Sequence, residues 1–207
     1  MKGLILKDFL NFKNQQGKTF LILIAFYFLL ALQMHSSSFF AALWVMLGAT
    51  LPISSIAYDE KAKWEKYALT MPISRKELVT SKYLLSLLFI IAGNIISLPV
   101  VYIIDGYFGM ENLLIFLILV ALGVIFNSIM LPFVFKFGSE NSRIIMFLVV
   151  AIPFLIGYIL QKMNVNVVSF LDTHEKIIGI AGGVAAVLIC LISYLLSVWI
   201  MERKEIS

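Results

Sequence analysis

The chain has 207 residues, of which 61% are hydrophobic and only 14% are charged, and its mean hydropathy is +1.00. A soluble domain of this length has too little interior to hide so many apolar side chains, whereas a bilayer accommodates them directly. The composition predicts an integral membrane protein and excludes a cytosolic enzyme and a nucleic-acid-binding protein, while the formal charge of +4 matters less than where the charges lie.

The first predicted element is an amphipathic helix at residues 4–15. Leu6 and Phe9 belong to its apolar arc, and Lys7 and Asp8 belong to its polar arc. The segment is too short and too polar to span a bilayer. We therefore expect an N-terminal interfacial helix that lies along the inner membrane surface.

Six long apolar runs follow, and each predicts a transmembrane helix because a spanning helix needs about 20 mostly apolar residues. The runs are continuous rather than alternating, which argues against a β-barrel. The expected fold is an all-α integral membrane protein, a single transmembrane domain over residues 1–207. The predicted spans are residues 19–34, 39–58, 83–104, 113–135, 144–161 and 177–201, with Pro52, Pro99, Pro132 and Pro153 interpreted as kinks inside them.

Lysine and arginine set the predicted orientation. With the N-terminus inside, all but two of the 16 lysines and arginines fall on the inner side, and the exceptions are Lys162 and Lys176. The positive-inside rule then places both termini in the cytoplasm. A cleaved signal peptide is disfavoured, because 18 residues precede the first apolar run.

The spans carry few polar groups, and none has a carboxylate, lysine, arginine or histidine at mid-depth. Ion-coupled carriers need such groups, so the sequence argues against that class. Two roles remain open for the polar side chains in the spans, the lining of a translocation path and hydrogen bonding between helices. These side chains are Asn94, Ser97, Asn127 and Ser128.

The sequence offers no catalytic or metal-binding constellation. The two histidines lie on different outer loops, and Cys190 is the only cysteine, which excludes an intrachain disulfide and a cysteine zinc cluster. The stretch from Gly17 to Thr19 resembles the end of a phosphate-binding loop, but Phe12 stands where that loop needs glycine. We expect no catalytic residue, no metal and no cofactor in this chain.

The last span has a seam of small residues on one helical face. Their spacing of three and four allows another helix to approach closely, either from the same chain or from a second subunit. The seam consists of Gly179, Gly183, Ala186, Cys190, Ser193 and Ser197.

The connection between the second and third spans is the longest. Residues 59–69 predict a short helix with an Asp59 to Lys63 pair and an exposed Trp64. Ser74 and Glu77 then fit a capping box that begins the next helix. An exposed tryptophan favours the docking of a partner, and the alternative is that it anchors the loop to lipid headgroups.

These features resemble the permease subunit of ABC-2-type exporters. The resemblance covers the layout of the whole chain, the N-terminal MKGLILKDF and most specifically the stretch LTMPISRKELV at residues 69–79. It implies a six-helix half-permease in the inner membrane of a bacterium, paired with a second copy or a paralogue. The likeness extends to exporters of antimicrobial and phenol-soluble modulin peptides, so an amphipathic peptide is the suggested substrate.

By this resemblance, residues 59–69 are a coupling helix seated in a groove of a cytoplasmic ATPase, which binds ATP and Mg. Residues 136–143, with Ser139 and Glu140, would form a second inner contact. A non-transporting membrane adaptor or immunity protein is the alternative, and an oligomeric channel ranks third. The residues implied in coupling are Asp59, Glu60, Lys63, Trp64, Glu65, Tyr67 and Arg75.

Overall fold

The computed structural model describes residues 2–162 and 175–204, and every element in that part of the chain is a helix. Five of the helices are long and apolar enough to cross a membrane. The predicted all-α integral membrane fold is thereby confirmed. The helices are α1 (Lys2–Met34), α2 (Ser37–Lys61), α3 (Trp64–Ala68), α4 (Arg75–Ile104), α5 (Met110–Lys162) and α6 (Glu175–Arg203).

The prediction of a separate interfacial helix at the N-terminus was wrong, because α1 is one continuous helix through Gly17. Its 33 residues are about 50 Å long, more than the bilayer core needs. Asp8 of the polar arc is buried against other helices, whereas Leu6 and Phe9 are exposed. The contacts of Asp8 with other helices give this part of the polar arc a protein environment, so the segment needs no separate interfacial helix.

The fourth and fifth predicted spans both lie in α5. A straight helix of its 53 residues would measure about 80 Å, far more than the roughly 30 Å of bilayer hydrocarbon. Gly138, with φ of 82° and ψ of 167°, interrupts the helical backbone between the two runs. The break falls where the sequence predicts an inner loop, but a count of six spans remains a prediction.

The helices run alternately in the two directions across the bundle. Asp8 of α1 is bonded to Lys82, and Phe12 packs on Phe89, so α1 and α4 run parallel. The sequence predicts that the end of the bundle with the N-terminus is cytoplasmic, so we call it the inner end and the opposite one the outer end. The largest apolar core lies toward the inner end, where α2, α4, α5 and α6 meet around Ile56 and Leu131. Two smaller cores lie toward the outer end.

One glycine permits a close helix approach in the middle of this bundle. A Cβ atom built on Gly93 of α4 would lie 1.4 Å from Cδ1 of Trp44 on α2. The indole ring therefore occupies the space that any larger residue at position 93 would need. Trp44 is in turn buried and packs against Phe20 of α1.

Candidate functional site

Four charged side chains from three helices meet near the inner end. The Lys82 ammonium donates hydrogen bonds to Asp8 Oδ2 at 2.8 Å, Asp59 Oδ2 at 2.6 Å and Ser55 Oγ at 2.7 Å. The Lys7 ammonium donates to Asp59 Oδ1 at 2.6 Å and lies 3.1 Å from Asp8 Oδ1. We call Lys7, Asp8, Asp59 and Lys82 the ion network.

Three members of the ion network are almost completely removed from solvent, and the Lys7 side chain is 21% exposed. Asp8 is 2% exposed, Lys82 5% and Asp59 7%. The two ammonium groups balance the two carboxylates, which is the condition under which buried charges are tolerated. Removing one member would leave an uncompensated charge in a low-dielectric region, at a cost of about 3–5 kcal/mol. The network therefore ties α1, α2 and α4 together in one arrangement.

The elbow, residues 62–74, connects α2 to α4. The prediction of one helix over residues 59–69 was wrong, because α2 continues to Lys61 and α3 begins only at Trp64. Lys63 between them has a left-handed backbone with φ of 49°, a conformation that ends helices. Asp59 does not pair with Lys63, because Lys7 and Lys82 occupy both of its oxygens.

Trp64 does not have the exposed position predicted for it. Its side chain is half buried and packs against the inner apolar core, with Lys7 Nζ 4.6 Å from the ring centroid. The indole nitrogen is buried and has no hydrogen-bond partner among the described residues. Trp64 thus attaches α3 to the ion network and to the core rather than presenting itself to a partner.

Two further contacts fasten the elbow to the end of α6. The Lys204 ammonium lies 3.2 Å from the Glu65 carboxylate. The Arg75 guanidinium donates to the backbone carbonyls of Met201, Glu202 and Lys204 at 2.7–3.0 Å. Both Glu65 and Arg75 were predicted to contact an ATPase; both are engaged within the chain, and the contact with an ATPase stays a prediction.

Glu60 connects α2 to the break in α5. Its carboxylate accepts the Ser139 backbone N–H at 3.0 Å and the Ser139 hydroxyl at 2.5 Å. Ser139 is buried by this contact, which leaves Glu140 as the exposed member of the predicted second contact. A Cβ at Gly138 would make only an ordinary contact with Glu60 Oε1, at 3.4 Å, so glycine is needed there for its backbone conformation.

The side of the elbow that points away from these fastenings is exposed. It carries two lysines, an aromatic ring and a methionine; Tyr67 is 63% exposed and Met71 46%. We call this surface the outward face. Its members are Lys63, Lys66, Tyr67 and Met71.

The predicted capping box at the start of α4 is confirmed. The Ser74 hydroxyl accepts from the Glu77 backbone N–H at 3.2 Å, and the Glu77 carboxylate accepts from the Ser74 backbone N–H at 2.9 Å. This backbone hydrogen bond lowers the pKa of Glu77 from its ordinary value. The carboxylate therefore stays charged at the positive end of the helix.

The four polar span residues are all buried. Asn94, Ser97 and Asn127 donate to carbonyls of their own helices. The side-chain oxygens of Asn94, Asn127 and Ser128 have no described hydrogen-bond partner. A role in lining a translocation path remains a prediction.

The two halves of the small-residue seam on α6 have different surroundings in the structure. Ser193 and Ser197 are buried, and both hydroxyls lie within 2.9 Å of the Tyr83 hydroxyl of α4, so this half packs within the chain. Ala186 is also buried. A Cβ atom added to Gly183 would have no described atom within 4 Å, while the surroundings of Gly179 lie outside the described residues.

Helices of this length and hydropathy, with the polar fastenings gathered at one end, define a multi-pass membrane protein. The model of the ABC-2 family transporter proteins matches residues 3–202. The chain therefore belongs to the ABC-2 transporter family and is a membrane permease of an ABC transporter. Permeases of this family generally partner with a cytoplasmic ABC ATPase. No curated protein and no solved structure matches the chain.

Proposed function

We propose that this chain is the permease subunit of an ATP-driven exporter and that the outward face of the elbow binds a separate cytoplasmic ATPase. The observation that carries the proposal is the division of the elbow into two sides. Trp64 and Glu65, with the adjacent Arg75 of α4, hold one side to the chain, whereas Tyr67 and its neighbours are exposed. A connection that only linked two spans would need no such fastened helix.

Movement of the ATPase would reach the spans through these fastenings. Trp64 contacts Lys7, and Asp59 of the ion network lies in the last turn of α2, next to the elbow. A displacement of α3 would therefore act on α1, α2 and α4 together. Arg75 extends the connection to α6 through the carbonyls at its C-terminal end.

The remaining parts of the proposal concern partners and orientation. ATP and Mg bind to the partner ATPase, and a second copy or a paralogue supplies the other half of the translocation path. The open surroundings of Gly183 support a second subunit at the outer part of α6. An amphipathic peptide is the proposed substrate, by the likeness to peptide exporters.

Tyr67→Ala tests the docking surface. We expect it to leave the protein folded in the membrane but to reduce copurification of the ATPase and transport-linked ATP hydrolysis by about tenfold or more, since an aromatic anchor contributes about 2 kcal/mol or more. Tyr107→Ala is the matched control, because Tyr107 is equally exposed, at 65%, on the opposite end. Equal ATPase recovery with both variants would refute the docking surface.

Cysteine labelling tests the orientation and the count of six spans. In intact cells, Tyr107→Cys should react with an impermeant thiol reagent, and Lys76→Cys and Glu140→Cys should not. All three positions are exposed, so accessibility within the protein does not decide the result. Labelling at Glu140 together with Tyr107 would show that residues 136–143 do not form an inner loop.

The adaptor alternative makes a different prediction for the purified protein. An affinity-tagged chain from its native membrane should bring down a Walker-motif ATPase if the permease proposal is right. Recovery of another partner without any ATPase, with loss of that partner in Tyr67→Ala, would favour an adaptor that uses the same surface.

A further inference from the structure

An open groove of about 450 Å³ runs between α5 and α6 on the side away from the ion network. Apolar side chains form nearly all of its wall. One end is different, because the Lys136 ammonium and the Trp199 indole lie there. The residues that matter most for its shape are Ile129, Phe133, Ile192 and Leu196.

The depth of the groove corresponds to one leaflet of a bilayer. Its α5 wall extends from Ser128 to Phe137, a helical distance of about 14 Å. The hydrocarbon core of a bilayer is about 30 Å thick, so half of it matches this length. Trp199 at the polar end has the position that tryptophan prefers in membrane proteins, at the boundary between hydrocarbon and headgroups.

Two cations at that end are not neutralised by the described part of the protein. Lys136 Nζ lies 5.1 Å from the centroid of the Phe137 ring, and the Arg203 guanidinium lies 4.2 Å from that of Trp199. Neither forms an ion pair with a described residue. Glu140, which lies beyond the break at Gly138, is exposed and forms no ion pair with Lys136, and no described lining residue is acidic.

We propose that this groove binds one anionic phospholipid, with an acyl chain between α5 and α6 and the headgroup phosphate on Lys136 and Arg203. A neutral lipid would fill the apolar part equally well but would leave both cations without a counter-charge. Basic pockets between membrane helices are favourable sites for anionic headgroups. The site goes beyond the proposed function, and its occupation requires neither an ATPase nor a substrate.

Trp199 provides the readout. In a Trp44→Phe, Trp64→Phe background, the protein is placed in phosphatidylcholine vesicles with a minor fraction of either dibromo-phosphatidylglycerol or dibromo-phosphatidylcholine. We expect the glycerol lipid to quench Trp199 at a several-fold lower fraction. Lys136→Gln or Arg203→Gln should each weaken this preference about fivefold, and Lys76→Gln, an exposed lysine on α4, should not change it.

Native mass spectrometry of the wild-type protein gives a second measurement that does not depend on the tryptophan background. It should detect one retained phosphatidylglycerol, lost in the Lys136→Gln variant. Equal quenching by the two brominated lipids would overturn the proposal. So would absence of quenching together with disulfide formation between copies at Leu196→Cys, since a second subunit would then fill the groove.

Discussion

The two ends of the bundle are held together by different means. At the inner end, the ion network, the Glu60 to Ser139 contact and the Arg75 contacts fix the helices by direction and distance. At the outer end, in the part of the chain that the structure describes, the polar contact between helices is the hydrogen bond from Ser37 to Asp105, and apolar packing supplies the rest. Polar contacts specify one arrangement, whereas apolar surfaces tolerate several.

The difference indicates which end of the bundle can transmit a movement imposed by a partner and which end can rearrange in response. An end fixed by directional bonds transmits a displacement as a unit. An end that rests on apolar contacts can rearrange at smaller cost. The following changes test whether the two ends really differ in this way.

The largest effect is expected at the ion network. Lys82→Met should lower the free energy of unfolding by about 3–5 kcal/mol, because Asp8 and Asp59 would remain buried with a single lysine between them. The midpoint of unfolding in detergent measures the loss. Lys76→Met, an exposed lysine on the same helix, is the control.

A second variant separates the charge effect from general misfolding. Adding Asp8→Asn to Lys82→Met restores one charge pair, Lys7 with Asp59, and should recover part of the lost stability. If Lys82→Met alone unfolds no more readily than Lys76→Met, the inner end is not held by its charges and the comparison fails.

The next effect is at the two glycines with left-handed backbones, one at each end. Gly138→Ala should cost about 1–3 kcal/mol, since φ of 82° with ψ of 167° is a conformation that only glycine adopts easily. Gly106→Ala at the outer end, with φ of 78° and open space around it, should cost less. Thermal unfolding of the two variants measures the difference, and the reverse order would contradict it.

At the outer end, Ser37→Ala should lower stability by only about 1 kcal/mol. The substitution removes the hydroxyl that donates to Asp105, but Asp105 is half exposed and can bind water instead. Detergent unfolding compared with Ser38→Ala isolates the effect. A loss as large as that of Lys82→Met would mean that the outer end is as strongly specified as the inner end.

The smallest effect is expected at the ion pair between the elbow and the end of α6. Glu65→Gln breaks the pair with Lys204, which is partly solvated, and should cost less than about 1 kcal/mol. The loss should shrink as salt is added. The exchanged pair Glu65→Lys with Lys204→Glu should regain stability, and a salt-independent loss would indicate a role other than charge pairing.

Much of the fold follows from the sequence, because long apolar runs and helix caps are local signals. The capping box of Ser74 and Glu77 forms as predicted, and the runs all become helical where the structure describes them. The sequence did not predict that α1 is one continuous helix, because its continuity depends on which residues of other helices its polar arc contacts. A local pattern that fits an interfacial helix also fits a helix whose polar side faces other helices.

The candidate site was predicted less well, for the same reason. Asp59 has a possible partner four residues away, and local spacing favours Lys63, yet two distant lysines bind it in the structure. The available signal was composition: Asp8 and Asp59 are acidic residues in inner segments that are otherwise rich in lysine. Trp64 was predicted to bind a partner because aromatic residues are common at interfaces. Aromatic residues are equally suited to the interior of a protein, and in the structure Trp64 packs against the core of its own chain.

The position of the ion network along the chain has a consequence for biogenesis. All four charged groups lie within residues 7–82, so the acids have already been synthesised when Lys82 leaves the ribosome. Glu60 likewise precedes Ser139 by 79 residues, so its carboxylate has been synthesised before the backbone bends at Gly138. A co-translational insertion intermediate that contains α1, α2 and the start of α4 can neutralise its own charges, without help from the helices that enter the membrane later.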